Sequence, residues 1–544
     1  MSSPPVTSTP TASAAVASVV TTHPIVGVFG VLLGAMTATL AGRLLSVGLA
    51  DLRGALHLGV DEASWLNTSF NAAMMFIGPF SVYLGGMLGP RRVLLTCGVL
   101  FTLISVLLPF ASTLPTMLAL LVLAGFTGGT FYPLTLSVLL GNLPVKYVLL
   151  GIAMYAMDIV FTDNVATSLE AWYMAHWSWR WIFWNSAVLT PVMMTLIYFG
   201  VPWQPLPKAK EGQPKLTWAG FFYAGLGFAL LVVALDQGQR LNWMHSGTII
   251  ALVVTGLFLL LAAIVHYLRL RSRSLNLKFL MRRNTLLLAL VVLCFEFSML
   301  ATIMLLPNYL GSVKGYLPLQ TGPVMLWVGM PQCICGLLTI YLLKYIDTRL
   351  IMTAGFTLIA IACLMNAQLS SAWSGANFWL SQMVMAVGLA VTFNALVGSV
   401  ILQVINTGAL SRPIDGVTFG GFFQTVRLFG GQLGGALMGH FLTVREQFHS
   451  NILGLGVQLG EPATRQRLFE LSAAMAPQST GANMAAGRAL EILDLQVRQQ
   501  AFTLAIIDSF RLIAWAVVCC LIVIACTTRV PTQFRQVMAT HKAA

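Results

Sequence analysis

The chain has 544 residues, of which 57% are hydrophobic and only 9% charged, and its mean hydropathy is +0.83. No soluble globular class has that composition, so the sequence predicts an all-α polytopic membrane protein with the lipid bilayer as its first partner. A net charge of +13 would suit a nucleic-acid binder, but the basic residues gather in alternate loops, as the positive-inside bias requires, and no nucleic-acid partner is expected.

Residues 1–23 are rich in Ser, Thr, Pro and Ala and carry no Lys or Arg. They read as a disordered cytoplasmic tail rather than a signal peptide, which needs a basic start. Helix 1 is expected over about Pro24–Ala50 with Arg43 inside it, followed by a polar outer loop. Helix 2 runs from about Ser64 to Leu88 with Asn67 and Asn71 one turn apart. Arg91 and Arg92 then mark a tight cytoplasmic turn. Helices 3 (about 93–111) and 4 (about 114–140) follow. Helix 4 holds Gly125, Gly128, Gly129 and Pro133, which allow close packing and a kink.

Helix 5, entering near Lys146, is the most informative stretch. It is apolar enough to span a bilayer, yet it carries Asp158, Asp163 and Glu170. One carboxylate at the centre of a membrane helix costs about 2.5–3.5 kcal/mol on insertion scales. Three therefore suggest a polar interior and a pathway. At about 1.5 Å of rise per residue, Asp158 lies about 18 Å in and Asp163 about 25 Å in. Glu170 lies near the far interface, where Trp172, Tyr173, Trp177, Trp179, Trp181 and Trp184 form the expected aromatic belt.

Helix 6 (about 181–201) leads to a Pro- and Lys-rich cytoplasmic linker, 202–217, the clearest seam in the chain. Helices 7 and 8 occupy 218–270, and a basic cytoplasmic loop spans 271–283. Helix 9 (about 284–310) holds Glu296 at its middle. Helices 10, 11 and 12 follow, and helix 13 (about 414–444) carries Arg427 among many glycines. Residues 445–500 are expected to form one long outer segment of amphipathic helix. A last helix follows at 501–528, then a basic cytoplasmic tail at 529–544. The total is fourteen spans with both termini cytoplasmic.

The eight cysteines all lie in apolar spans without metal-ligating neighbours, so packing is their expected use, with no disulfide framework and no metal. No cofactor motif, phosphate-binding loop or nucleophile–base pair is present. An enzyme or an ATP-driven pump is not expected.

Several stretches carry a family resemblance. These are SWLNTSF opening helix 2, WSWRWIFWN entering helix 6, LNLKFLMRRNTLLLAL leading into helix 9 and LLPNYL closing it. VRLFGGQLGGALMGHFLTVREQFHSNI across helix 13 and QQAFTLAIIDSF entering helix 14 complete the set. In this order the chain resembles the fourteen-helix drug:proton antiporter branch of the major facilitator superfamily, and EmrB-like inner-membrane pumps in particular. The resemblance implies the major facilitator fold: two pseudo-symmetric six-helix halves, 24–201 and 284–528, with two inserted helices. It also implies a bacterial inner-membrane location, export of small amphipathic substrates against protons, and a periplasmic adaptor protein contacting 445–500. His440 and His449 match family positions. The chain departs from the family pattern where GGMLGPRR lacks the acidic residue of the helix 2–3 loop, and where ATSLEA (166–171) replaces the antiporter motif. A transport-inactive scaffold or sensor and an uptake carrier or uniporter therefore stand as alternatives.

In the implied fold, helices 1 and 5 are neighbours, as are helices 9 and 13. Arg43 and Asp163 lie at similar depth, and so do Glu296 and Arg427. Two ion pairs, Arg43–Asp163 and Glu296–Arg427, are expected, because each neutralises charges that could not be buried singly. Asp158 then has no obvious cation and is the first candidate to carry a proton, with Glu296 second. The substrate route is expected in the cleft between halves, lined by Asn67, Asn71, Tyr155, Phe295, Met299, Phe393 and Asn394.

Overall fold

The structure, a computed structural model, describes residues 23–142, 148–203, 218–269, 281–406, 413–478 and 481–527. The expected tails, the linker after residue 203 and most of the basic loop at 271–283 lie outside the described residues.

Helices account for nearly every described residue. They are α1 (Pro24–Val47), α2 (Val60–Leu88), α3 (Pro90–Leu107), α4 (Leu114–Gly128 and Phe131–Asn142), α5 (Val148–His176), α6 (Trp181–Gly200), α7 (Trp218–Gly238) and α8 (Gly247–Arg269). Then come α9 (Arg283–Leu300, continued as Leu306–Ser312), α10 (Pro318–Gly329 and Gln332–Tyr345), α11 (Thr348–Asn366), α12 (Trp379–Asn406), α13 (Pro413–Leu455) and α14 (Ala482–Ala525). Among the described residues, thirteen spans are long and apolar enough to cross a membrane. The remaining helix, α13, is diluted by its glycines, Gln424, Arg427 and Gln432, but packs among the others. The protein is a multi-pass membrane protein.

The interruptions follow from proline. Pro133 can give no hydrogen bond to residue 129, and α4 breaks at Gly129–Thr130. Pro307 forces the same loss in α9, which takes it up as a π-turn over Ala301–Leu305. In α10 the break falls at Met330–Pro331.

Packing reveals the two halves. α1 packs on α4, α5 and α6, and its counterpart α9 packs on α12, α13 and α14. α2 lies on α4 as α10 lies on α12, and α3 on α6 as α11 on α14. Across the seam, α2 and α4 meet α13, while α10 and α12 meet α5; exchanging the halves maps one set onto the other. The inserted pair α7–α8 docks through α7 onto α2. There Thr68 donates to Asp236, and Arg240 reaches Asp61 at 2.9 Å. α8 turns Val254, Leu257, Phe258, Leu261 and Leu268 outward, the apolar stripe that lipid would cover.

The seam closes where side chains vanish. A Cβ on Gly420 of α13 would lie 2.4 Å from the Pro133 carbonyl oxygen of α4, and one on Gly322 of α10 would lie 2.9 Å from Ser168 Cα of α5. The first contact is nearer the end of the bundle where α1 begins and α14 ends. The second is nearer the opposite, far end.

The expected outer segment 445–500 is not one separate unit. α13 continues to Leu455 and α14 already begins at Ala482, with a helix at Pro462–Met475 between them. Hydropathy ends at Val444 and resumes at Phe502, but helix formation does not follow hydropathy. Arg, Glu, Gln, Ala and Leu extend helices well, and pairs such as Arg498–Asp494 at 2.9 Å support the exposed turns. The extensions are tied together by Asp508, which accepts from Arg445 Nε at 2.8 Å and meets His449 Nε2 at 2.8 Å.

Candidate functional site

Arg43, Asp158, Asp163, Glu296 and Arg427 gather at the seam between halves. On α1 and α5, Arg43 Nε lies 3.5 Å from Asp163 Oδ1. On α9 and α13, Arg427 Nε lies 3.8 Å from Glu296 Oε1. The side chains of Arg43 and Asp163 keep 20% and 13% exposure, and those of Arg427 and Glu296 keep 7% and 14%, so each pair retains a small wetted face.

These are not two isolated pairs. Arg427 acts electrostatically on Asp158 and Asp163 as well as on Glu296. Its guanidinium carbon sits 4.4 Å from the centre of the Tyr132 ring on α4, a cation–π contact across the seam. Tyr132 packs on Tyr155 at 5.0 Å between ring centres, and Tyr155 on Phe423 at 6.4 Å. An aromatic layer thus joins α4 and α5 of one half to α13 of the other.

Asp158 faces this layer, about 140° around α5 from Asp163. Thr162, one turn on, donates to its Oδ1 at 3.3 Å, and among the described residues its Oδ2 has no hydrogen-bond partner. Three carboxyls, Asp158, Asp163 and Glu296, therefore share two guanidiniums, Arg43 and Arg427. Among the described residues Nε and Nη1 of Arg427 also lack hydrogen-bond acceptors. Glu170 stands apart at the far end of α5, fully buried.

The expected cleft residues divide. Tyr155 belongs to the central aromatic layer. Phe295 and Phe393 instead stack on each other inside one half, 4.5 Å apart and nearly parallel, and Met299, one turn on from Phe295, is also buried. Asn394 turns its amide to the Ala390 carbonyl at 2.8 Å. Asn67 and Asn71 are half-buried on α2, and Asn67 Oδ1 has no partner.

A narrow apolar recess lies between α9, α12 and α13. Leu288, Val292, Val400, Phe419, Phe423 and Val426 are among its walls. Glu296 and Arg427 each lie four residues beyond a wall residue on the same helix face, Val292 and Phe423, so the recess leads toward the charged pair. Among the described residues no group of three His, Cys, Asp or Glu could hold a metal ion.

Sequence reasoning passed over Tyr132, which looks like packing beside Pro133. It passed over Asp236, which is bonded to Thr68. It also passed over Gln424, fully buried with both amide atoms unpartnered among the described residues. A polar residue one helical turn from Arg427 was the available signal for Gln424.

Residues 31–437 match the family described as Major Facilitator Superfamily. Over 326 residues the chain is 26% identical to the probable multidrug resistance protein EmrY of Escherichia coli, a match spanning 59% of this chain and 62% of that protein. It is 25% identical to the fatty acid resistance protein FarB of Neisseria gonorrhoeae over 64% of this chain and 68% of FarB. It is 22% identical to the colistin resistance protein EmrB of Acinetobacter baumannii over 88% and 92% of the two chains. Among solved structures, the human organic anion transporter MFSD10 superposes with a TM-score of 0.53 at 13% identity, covering 91% of this chain and 99% of that one. The proton:xylose symporter XylE superposes with a TM-score of 0.53 at 12% identity, covering 91% and 94%. Both share the fold. With the halves, the seam and the family match together, the chain belongs to the major facilitator superfamily, a family of membrane transporters.

Proposed function

We propose that this protein is a secondary active exporter of amphipathic organic compounds, coupled to protons by antiport. One observation carries the reading: at the seam, three carboxyls share two guanidiniums. The uncompensated negative charge can be neutralised by one proton or by one bound substrate group, and occupancy by either disfavours the other. That exclusion is what antiport requires. Asp158, whose one hydrogen-bond donor among the described residues is a threonine hydroxyl, is the proposed proton carrier. Glu296 follows it, while Arg43, Asp163 and Arg427 hold the field around them. The relatives named for multidrug, fatty acid and colistin resistance support the exporting direction. The apolar recess beside Arg427 suits the apolar part of such a substrate, with Tyr155 and the half-buried Asn67 and Asn71 along the route.

In this reading the protein sits in a bacterial inner membrane with both termini in the cytoplasm. A periplasmic adaptor docks on 445–500, where Leu455, Leu459 and Phe469 are each more than 70% exposed. The test is efflux of an amphipathic dye in energised inverted vesicles, wild type beside Asp158→Asn, with and without a proton uncoupler. Transport that is abolished by the uncoupler and lost in the variant is expected. Transport indifferent to both overturns the coupling and favours a uniporter.

A further inference from the structure

Glu170 lies on the same stripe of α5 as Asp163, two turns nearer the far end, with buried Thr167 between them. It is fully buried, and among the described residues neither carboxyl oxygen has a hydrogen-bond donor. Among the described residues the one charged group acting on it is Asp51, whose carboxyl comes within hydrogen-bonding reach. Asp51 is half-buried on the short helix Leu49–Ala55 that caps α1. The meeting is made possible by Gly48: a Cβ there would lie 3.2 Å from Glu170 Oε1 and 2.6 Å from Ile182 Cδ1. Near Asp51 and Glu170 in the chain, Arg53, His57, His176 and Arg180 are exposed. Tyr173, one turn on from Glu170, spends its hydroxyl proton on Asn185 at 2.8 Å.

Two ionised carboxylates offer only acceptors to each other, and burying them together without a cation is costly. A proton between them supplies the missing donor. We propose that Asp51 and Glu170 share one proton and form the port through which protons pass between the far-end solution and the Arg43–Asp163 pair. The inference rests on the proton-coupled reading above and adds its route. From the port, the buried Thr167 hydroxyl leads to Asp163, about 10 Å away along the helix. Asp163 is in electrostatic contact with Asp158, and Thr162 is bonded to Asp158. Asp51 is the group open to solution, and Glu170 hands the proton inward.

The test uses the full-length protein in liposomes. Dye transport driven by an imposed pH gradient is recorded together with internal pH. Dye binding and dye–dye exchange, which need no net proton movement, are measured in parallel. Asp51→Asn and Glu170→Gln are each expected to slow gradient-driven transport and its proton flux by about tenfold or more, as loss of a proton-transfer group does. Dye binding and exchange should persist in Asp51→Asn, and Glu170→Asp should restore part of the rate. Wild-type rates in both variants overturn the port, as does a parallel loss of binding and exchange, which marks a structural role. A wild-type rate that depends on sodium at fixed pH overturns the proton in favour of a metal cation. Wild-type dye movement without proton flux overturns the coupled reading itself, and is seen before any variant is made.

Discussion

The pair formed by Glu296 and Arg427 lends itself to a quantitative test. At 3.8 Å and an effective dielectric of about 20, the two charges attract by about 4 kcal/mol. Desolvation offsets much of that, and the net coupling expected for such a pair is about 1–3 kcal/mol. Arg427→Met leaves Glu296 buried without its cation and should destabilise by about 3–5 kcal/mol. It also removes the cation–π contact with Tyr132, worth about 1 kcal/mol. Glu296→Gln leaves Arg427 with Asp158 and Asp163 still in range, so its cost should be smaller. The loss in the double variant should fall short of the sum of the single losses by the coupling energy. Unfolding in mixed micelles by SDS titration, followed by tryptophan fluorescence, measures all three. The pH dependence adds a sign: a protonated carboxyl needs no cation, so the deficit of Arg427→Met should shrink as the pH falls. A double variant whose loss equals the sum of the two, at every pH, would refute the pair.

Three further outcomes are expected. Tyr132→Phe keeps the ring under Arg427 and should cost little, whereas Tyr132→Leu should lose about 1 kcal/mol in the same titration. Gly420→Ala places a Cβ 2.4 Å from the Pro133 carbonyl oxygen, forcing α4 and α13 apart; a cysteine substituted at Leu136 should then react faster with a maleimide, in a background without native cysteines. Asp508→Asn weakens the charge-assisted bonds to Arg445 and His449 and should lower stability by about 2 kcal/mol. Its readout is faster proteolysis of the 445–500 region.

Much of this architecture was legible in the sequence because burial in lipid is so selective. A span must be helical and apolar, so helix number and order follow from hydropathy, and the exceptions, Arg43, Asp163, Glu296 and Arg427, stand out one by one. Their meeting depends on which helices are neighbours, and that came from the family resemblance rather than from spacing. What hydropathy cannot reveal is where a helix stops once it leaves the membrane. The ends of α13 at Leu455 and of α14 at Ala482 were therefore missed. Nor does it separate a cleft residue from a packing residue. Phe295 and Phe393 satisfy each other within one half, while Tyr132, which reads no differently in sequence, carries Arg427 across the seam. Asp51 was read as a loop residue because its burial arises from the turn at Gly48, a three-dimensional fact.

The placement of Arg427 links charge to motion in the proposed mechanism. Its backbone belongs to α13 in one half, its carboxylate partner Glu296 to α9 in the same half, and its aromatic partner Tyr132 to α4 in the other. When the halves rock about the seam, the contact with Glu296 travels with the helices but the contact with Tyr132 cannot. The field that Arg427 exerts on Asp158 must change with it, since Asp158 rides on α5 with the Tyr132 half. Withdrawing a cation from Asp158 favours its protonated form, and returning the cation favours release. Occupancy of Asp158 and the relative position of the halves are then two readings of one equilibrium, and a ligand that stabilises either arrangement shifts the other by the same free energy. The Tyr132 contact, at about 1 kcal/mol, is weak enough to break on every cycle, whereas a direct ion pair across the seam at Arg427 would hold the halves together.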